Sequence, residues 1–171
     1  NYAIFAGGRS SDHEENIVDI FNVETGLWSK SSLSAPRSQL AACVDLRKLR
    51  AYFAGGLSSD KPSGIVDVFD HQNISFSNNF ELAVPRYSLS CITHDEFVYF
   101  AGGISSNGPS SILEIFNSNN YSWVVLQLSS ARHSISAVLV GATIYFAGGS
   151  LSIDSNKALK LPAPNPLAPI R

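Results

Sequence analysis

The residues that could do chemistry are scattered. The histidines are His13, His71, His94 and His133, and the cysteines are Cys43 and Cys91. A structural zinc site asks for about four converging ligands, and this chain has no CxxC or HxxxH pair. A nucleophilic site asks for a hydroxyl or thiol beside a base that a third group orients; no such set can be assembled here on more than coincidence. The glycine pairs Gly7-Gly8, Gly55-Gly56, Gly102-Gly103 and Gly148-Gly149 invite a phosphate-loop reading. It fails, because there is no GxGxxG, no Lys-Ser after the glycines and no helix whose N-terminus could hold an anion. The expectation is therefore no catalytic residue, no metal ligand set, no cofactor and no enzyme.

The glycine pairs have another meaning. "YFAGG" stands at 52–56, 99–103 and 145–149, and "IFAGG" at 4–8. The second glycines, Gly8, Gly56, Gly103 and Gly149, are 48, 47 and 46 residues apart. Recurrence at this period is the signature of a repeat architecture. Eleven residues beyond the glycine comes an acid (Asp19, Asp67, Glu114), and two further on a phenylalanine (Phe21, Phe69, Phe116). Twenty beyond comes an aromatic (Trp28, Phe76, Trp123), then an arginine (Arg37, Arg86, Arg132) preceded by Pro36, Pro85 or Ala131. Length varies late in each unit, and the two extra residues of the first copy fit best in "DLRKLRA", because a buried strand cannot absorb an insertion without inverting its pattern.

Each unit offers four short strand-like runs. "SQLAACV", "YSLSCIT" and "HSISAVL" follow the arginines; the aromatic run ends in the glycine pair; "IVDIF", "IVDVF" and "ILEIF" are β-branched alternations; the last run surrounds the aromatic. No helical period appears. A four-stranded sheet with two apolar faces hides them only against a sibling, and repetition supplies one. The fold class is all-β, a propeller of which this chain holds about three and a half four-stranded blades.

The residues Gly55-Gly56, Val66-Asp67-Val68-Phe69, Phe76 and Pro85-Arg86, with their parallel sets, resemble the kelch repeat over residues 1 to about 150. Phe76 replaces the usual Trp and Ala131 the usual Pro. The fourth copy departs more: Lys160, Pro162 and Pro169 stand at its acid, phenylalanine and aromatic positions. The expected organisation is units near 1–37, 38–86 and 87–132, a partial fourth at 133–154, and a Pro-rich edge segment or tail at 155–171. The resemblance implies a ring of usually six or seven blades. Completion is expected from missing parts of the same chain, or otherwise from another chain.

The resemblance also implies that the second-to-third connections (9–16, 57–64, 104–111) and the fourth-to-first connections (30–36, 78–85, 125–131) share the face that meets a protein partner. Asp12, His13, Glu14, Asp60, Lys61 and Asn107 are the distinctive residues there. The glycine pairs, Trp28, Phe76, Trp123, Arg37, Arg86 and Arg132 are expected to serve the units themselves, the aromatics by packing between blades. A residue present in every unit serves the unit before it serves a ligand. Asp19, Asp67 and Glu114 are their expected acidic partners. Aligning Leu40 with Leu89 puts Cys43 and Cys91 one residue out of register, on opposite sides of their strands. The expectation there is two buried free thiols.

A formal charge of −2 argues against a nucleic-acid binder. No run of 18 apolar residues exists to span a membrane as a helix. Asn73-Ile74-Ser75 and Asn120-Tyr121-Ser122 are N-glycosylation sequons in turns, a slight lean toward a secreted or cell-surface protein. The expected function is a non-enzymatic protein-interaction scaffold. The alternatives are a fragment of a kelch-type enzyme, such as a copper sugar oxidase or a sialic-acid isomerase, and an architectural subunit of a larger assembly.

Overall fold

A computed structural model describes residues 1–151 and the backbone of 165–166, without the side chains of Asn78 and Asn79. The described part is all β, with no helix. The first sheet holds β1 (Tyr2–Ala6), β2 (Ile17–Asn22) and β3 (Trp28–Ser32). The second begins with β4 (Ala41–Asp45) and β5 (Arg50–Ala54); a two-stranded ribbon, β6 (Leu57–Ser58) and β7 (Lys61–Pro62), then leads to β8 (Ile65–Asp70) and β9 (Ser75–Glu81). The third repeats this as β10 (Ser90–His94), β11 (Phe97–Ala101), a ribbon of β12 (Ile104–Ser105) and β13 (Gly108–Pro109), β14 (Ile112–Asn117) and β15 (Trp123–Gln127). The fourth contains β16 (His133–Val140) and β17 (Thr143–Ser150), with β18 (Asn165–Pro166) paired on the outer edge of β17. The rest of the expected edge segment or tail lies outside the described residues.

Every pairing among the described strands is antiparallel, and the ribbons β6–β7 and β12–β13 intervene between the paired strands β5 and β8 and β11 and β14. The two extra residues of the first copy sit in the β4–β5 turn, 46–49, where the third sheet needs only Asp95 and Glu96. The spacing from Phe76 to Arg86 is one longer than its counterparts, and the β8–β9 register shifts between Val66 and Asp67 to absorb it as a bulge.

The sheets stack face on face. Side chains alternate across a strand, so β8 sends Val66 and Val68 one way and Asp67 and Phe69 the other. Tyr2, Ile4, Ala6, Val18 and Ile20 of the first sheet pack against Ala51, Phe53, Phe69 and Phe76 of the second. The second sheet's other face, with Ala41, Tyr52, Ala54, Val66 and Val68, packs against Val98, Phe100, Phe116 and Trp123 of the third. Tyr99, Ala101, Leu113 and Ile115 meet Ile135, Ile144 and Phe146 of the fourth. Each sheet thus has a forward face toward the next and a rear face toward the one before. β4, β10 and β16 lie side by side along one margin of the stack.

This stacking corrects the expectation for the cysteines. Cys43 and Cys91 form a disulfide, with Cα atoms 5.5 Å apart. Cys43 pairs across its sheet with Tyr52 and Cys91 with Phe100, so they do point to opposite sides of equivalent strands. Opposite faces of successive sheets are the faces that meet. The free-thiol expectation treated the two strands as one surface when they belong to facing surfaces. At the next junction the same two positions hold Ile92 and Ala137, packed in one cluster.

The aromatic positions divide likewise. Phe76 and Trp123 pack against the sheet before their own. Trp28, expected between blades, is 61% exposed, as is Phe5 at 59%, because no described sheet covers the rear of the first one.

Candidate interaction surface

The repeated arginines join consecutive units. Arg37 donates from Nη1 to the carbonyls of Gly55 (2.7 Å) and Ile65 (2.8 Å), and from Nη2 to the Asp67 carboxylate. Arg86 donates to Gly102 O (2.7 Å), Ile112 O (2.8 Å) and Glu114 Oε1 (2.8 Å). Their backbones reach the other way: the N–H groups of Gly8, Gly56 and Gly103 donate to the carbonyls of Arg37, Arg86 and Arg132, each at 2.9 Å. The carboxylates also span the junction, since Ser34 N–H donates to Asp67 and Ala83 N–H to Glu114 at 2.8 Å. Both guanidinium groups are fully buried. Burial pulls their pKa below the ordinary arginine value while Asp67 and Glu114 push it back up.

This lattice explains the first glycine of each pair. Gly55 and Gly102 have φ of +65° and +64°, and a Cβ on either would collide with the Arg86 or Arg132 carbonyl. Only glycine combines that backbone with so close an approach. Arg132 donates to Gly148 O at 2.6 Å and to Ser130 Oγ; its acid position, Lys160, lies outside the described residues.

The two connection classes lie together at one end of the stack. Arg37 N–H donates to Glu15 O, Arg86 N–H to Ser63 O and Arg132 N–H to Ser110 O, each at 3.0 Å; Leu33, Leu82 and Leu128 make the matching bonds to Asn16, Gly64 and Ser111. Within that end, Glu14 is buried while Asp12, His13, Asp60, Lys61 and Asn107 are exposed. Arg9 Nη1 lies 3.0 Å from Glu14 Oε1 and 3.2 Å from Asp60 Oδ1, and Glu14 accepts the Ser59 N–H. His13 lies 3.2 Å from Glu15. The structure therefore brings Glu14 and Asp60 together across two units. Asn107 sits in the β12–β13 turn, its N–H on Ser105 Oγ at 3.2 Å.

Sequence reasoning missed Arg9. Its position, the one after the glycine pair, holds Leu57 and Ile104 in the next two copies. A charge at an apolar repeat position was the available signal.

Asn73 and Asn120 lie in the β8–β9 and β14–β15 turns, both exposed. Strand direction puts these turns at the opposite end of the stack from the connections just described. Asn120 Oδ1 accepts the Ser122 hydroxyl at 2.7 Å, within its own sequon.

The histidines stay apart: His71 packs edge-on against Tyr2, and His94 lies 3.5 Å from Asp95. Among the described residues no three of His, Cys, Asp and Glu gather as a metal group. No helix among them is long and apolar enough to cross a membrane. Neither the models of known protein families nor the curated proteins contain a match to this chain.

Proposed function

We propose that the chain is part of a kelch-type β-propeller acting as a non-enzymatic interaction module, with the loops at the Arg9–Glu14–Asp60 end meeting a protein partner. The observation that carries the reading is how the polar side chains divide. The repeated arginines and the acids Asp67 and Glu114 are consumed within the stack. The loop residues Asp12, His13, Asp60, Lys61 and Asn107 stay exposed on connections held in place by backbone bonds. Binding residues concentrate on loops that a rigid scaffold positions. The stacked sheets and the recurring arginine contacts support the propeller assignment. The disulfide and the two exposed sequons support a secreted or cell-surface setting, because disulfides persist where conditions are oxidising.

The test is a comparison of affinity captures. Wild-type chain is set beside a variant carrying Asp12→Ala, Asp60→Ala, Lys61→Ala and Asn107→Ala, and beside a control carrying Asn73→Gln and Asn120→Gln at the other end. A partner retained by wild type and by the control, and lost by the loop variant, is the expected outcome. A partner held equally by all three rules the loop surface out.

A further inference from the structure

The loop of the third unit reverses at Ser106 and Asn107, between β12 and β13. Asn107 stands directly before Gly108, and no other asparagine of the chain precedes a glycine. Both facts bear on one reaction. The carboxamide of an asparagine is open to attack by the backbone nitrogen of the residue that follows it, and the rate depends on how closely that nitrogen can approach the side-chain carbon. Glycine has no Cβ and obstructs nothing. A β-branched residue is stiff and crowds the path.

The surroundings of Asn107 favour the reaction. Asn107 is exposed, and its carboxamide has no hydrogen-bond partner among the described residues. Gly108 has φ +100°, and a Cβ there would meet no atom within 4 Å, so the turn stands in open space. The ribbon that carries it has only the pairs Ile104↔Pro109 and Ser105↔Gly108. Pro109 brings no N–H to it, and so short a two-stranded hairpin is marginal in water. Its local opening frees the Gly108 N–H while the sheets behind stay packed. Other asparagines lack this combination. Asn16, Asn22 and Asn73 precede the β-branched Ile17, Val23 and Ile74. Asn117 precedes the small Ser118, but its Oδ1 accepts the N–H groups of Asn119 and Asn120 at 2.8 and 3.3 Å. Ser118, itself buried, donates its N–H to Glu96 O at 2.7 Å.

We propose that Asn107–Gly108 is a site of spontaneous deamidation, through which the loop end acquires a further carboxylate. The Gly108 nitrogen, its proton taken by hydroxide or a buffer base, bonds to Asn107 Cγ; the Cγ–Nδ2 bond breaks and ammonia leaves. Water then opens the cyclic imide at one carbonyl or the other, giving aspartate or the isomer linked through its side-chain carbon. The net change is asparagine and water to carboxylic acid and ammonia, with no oxidant and no enzyme. Asn107 lies four residues after Gly103, as Asp12 does after Gly8 and Asp60 after Gly56. The first two units thus carry an exposed acid at this place, and conversion supplies the third. It adds a negative charge to a chain of formal charge −2. The chemistry is independent of the proposed function; its effect on a partner rests on that reading, because Asn107 belongs to the loop surface.

The intact chain is incubated at neutral and at mildly alkaline pH and sampled over weeks by peptide mapping, beside a synthetic peptide of residues 104–111. Asn107 should become heavier by about one dalton before any other asparagine, at least tenfold faster than Asn117 and faster as pH rises, with both aspartyl isomers in the product. Asn107→Gln, whose longer side chain closes the ring poorly, should remove the acidic shift of the whole chain. Conversion of Asn117 ahead of Asn107, or an Asn107 that converts in the peptide and stays intact in the folded chain, would overturn the proposal. In affinity capture, Asn107→Asp should change what the loop surface retains and Asn107→Gln should not. Unchanged capture by Asn107→Asp, beside an Asn107 that converts, would count against the partner surface and not against the site.

Discussion

Cys43 of β4 is bonded to Cys91 of β10 across the gap between the second and third sheets, 48 residues apart in sequence. The bond crosses an interface that Tyr52, Val68, Phe100 and Phe116 already fill, so it fastens surfaces that packing holds together. A loop of this length contributes about 4 kcal/mol in the chain-entropy description of the unfolded state, within the usual range of about 2–4 for disulfides. Replacing both cysteines by alanine should lower stability by about that amount in chemical denaturation. Wild type under reducing conditions should fall by a similar step, and the double variant should not respond to reductant.

The buried Arg86–Glu114 pair should behave unlike the Arg9–Asp60 pair. Both Arg86 and Glu114 side chains are essentially inaccessible. Removing one member leaves an uncompensated buried charge, which costs about 3–5 kcal/mol. Glu114→Ala should therefore destabilise severely, and it also strands the Ala83 N–H. Asp60 is 80% exposed, so Asp60→Ala should change stability by at most about 1 kcal/mol. Urea midpoints of the two variants compare them directly.

Gly55 and Gly26 both have positive φ, +65° and +70°. Alanine at Gly26 meets open space and should cost only the left-handed backbone penalty of about 1–2 kcal/mol. Alanine at Gly55 adds a collision with the Arg86 carbonyl and Leu89. It should cost clearly more and loosen the second-to-third junction. Thermal melts of the two variants, with amide exchange at Gly56, would read this.

Tyr52 gives the fold an alkaline limit. Burial first, and then the Asp45 carboxylate, push its phenol up to about 12. The folded state holds this proton more tightly than the unfolded one, so the associated stability is fully present below about pH 10 and is lost as pH rises from 10 toward 12. Burial raises Tyr99 in the same direction. Wild type should lose on the order of 2 kcal/mol across that window through Tyr52. Tyr52→Phe should show a shallower decline when denaturation is followed from pH 9 to 12.

The strands were legible because their pattern depends on local alternation: "IVDVF" and "ILEIF" become β8 and β14, buried on both faces. The turn holding the first copy's extra residues was legible too, since only a surface connection absorbs them. What faced what was not. Cys43 and Cys91 were placed on opposite sides correctly, yet pairing depends on which faces of different sheets meet, a tertiary fact that alternation along one strand does not contain. Trp28 carries the same type and spacing as Trp123 but lies exposed; burial at this position depends on a covering sheet, which none of the described residues supplies to Trp28. At the candidate surface, the exposure of Asp12, His13, Asp60, Lys61 and Asn107 followed from their loop positions. The bridge from Arg9 to Glu14 and Asp60 did not, because it joins side chains 51 residues apart.

The central claim is that each sheet's forward face meets the next sheet's rear face at equivalent positions. It is tested by moving the cross-link one junction along. Ile92→Cys with Ala137→Cys, in a chain carrying Cys43→Ala and Cys91→Ala, should form one intramolecular disulfide under mild oxidation. Peptide mapping of unreduced material would show residues 92 and 137 linked. Two free thiols after oxidation of the folded chain, or links only between separate chains, would contradict the stacking.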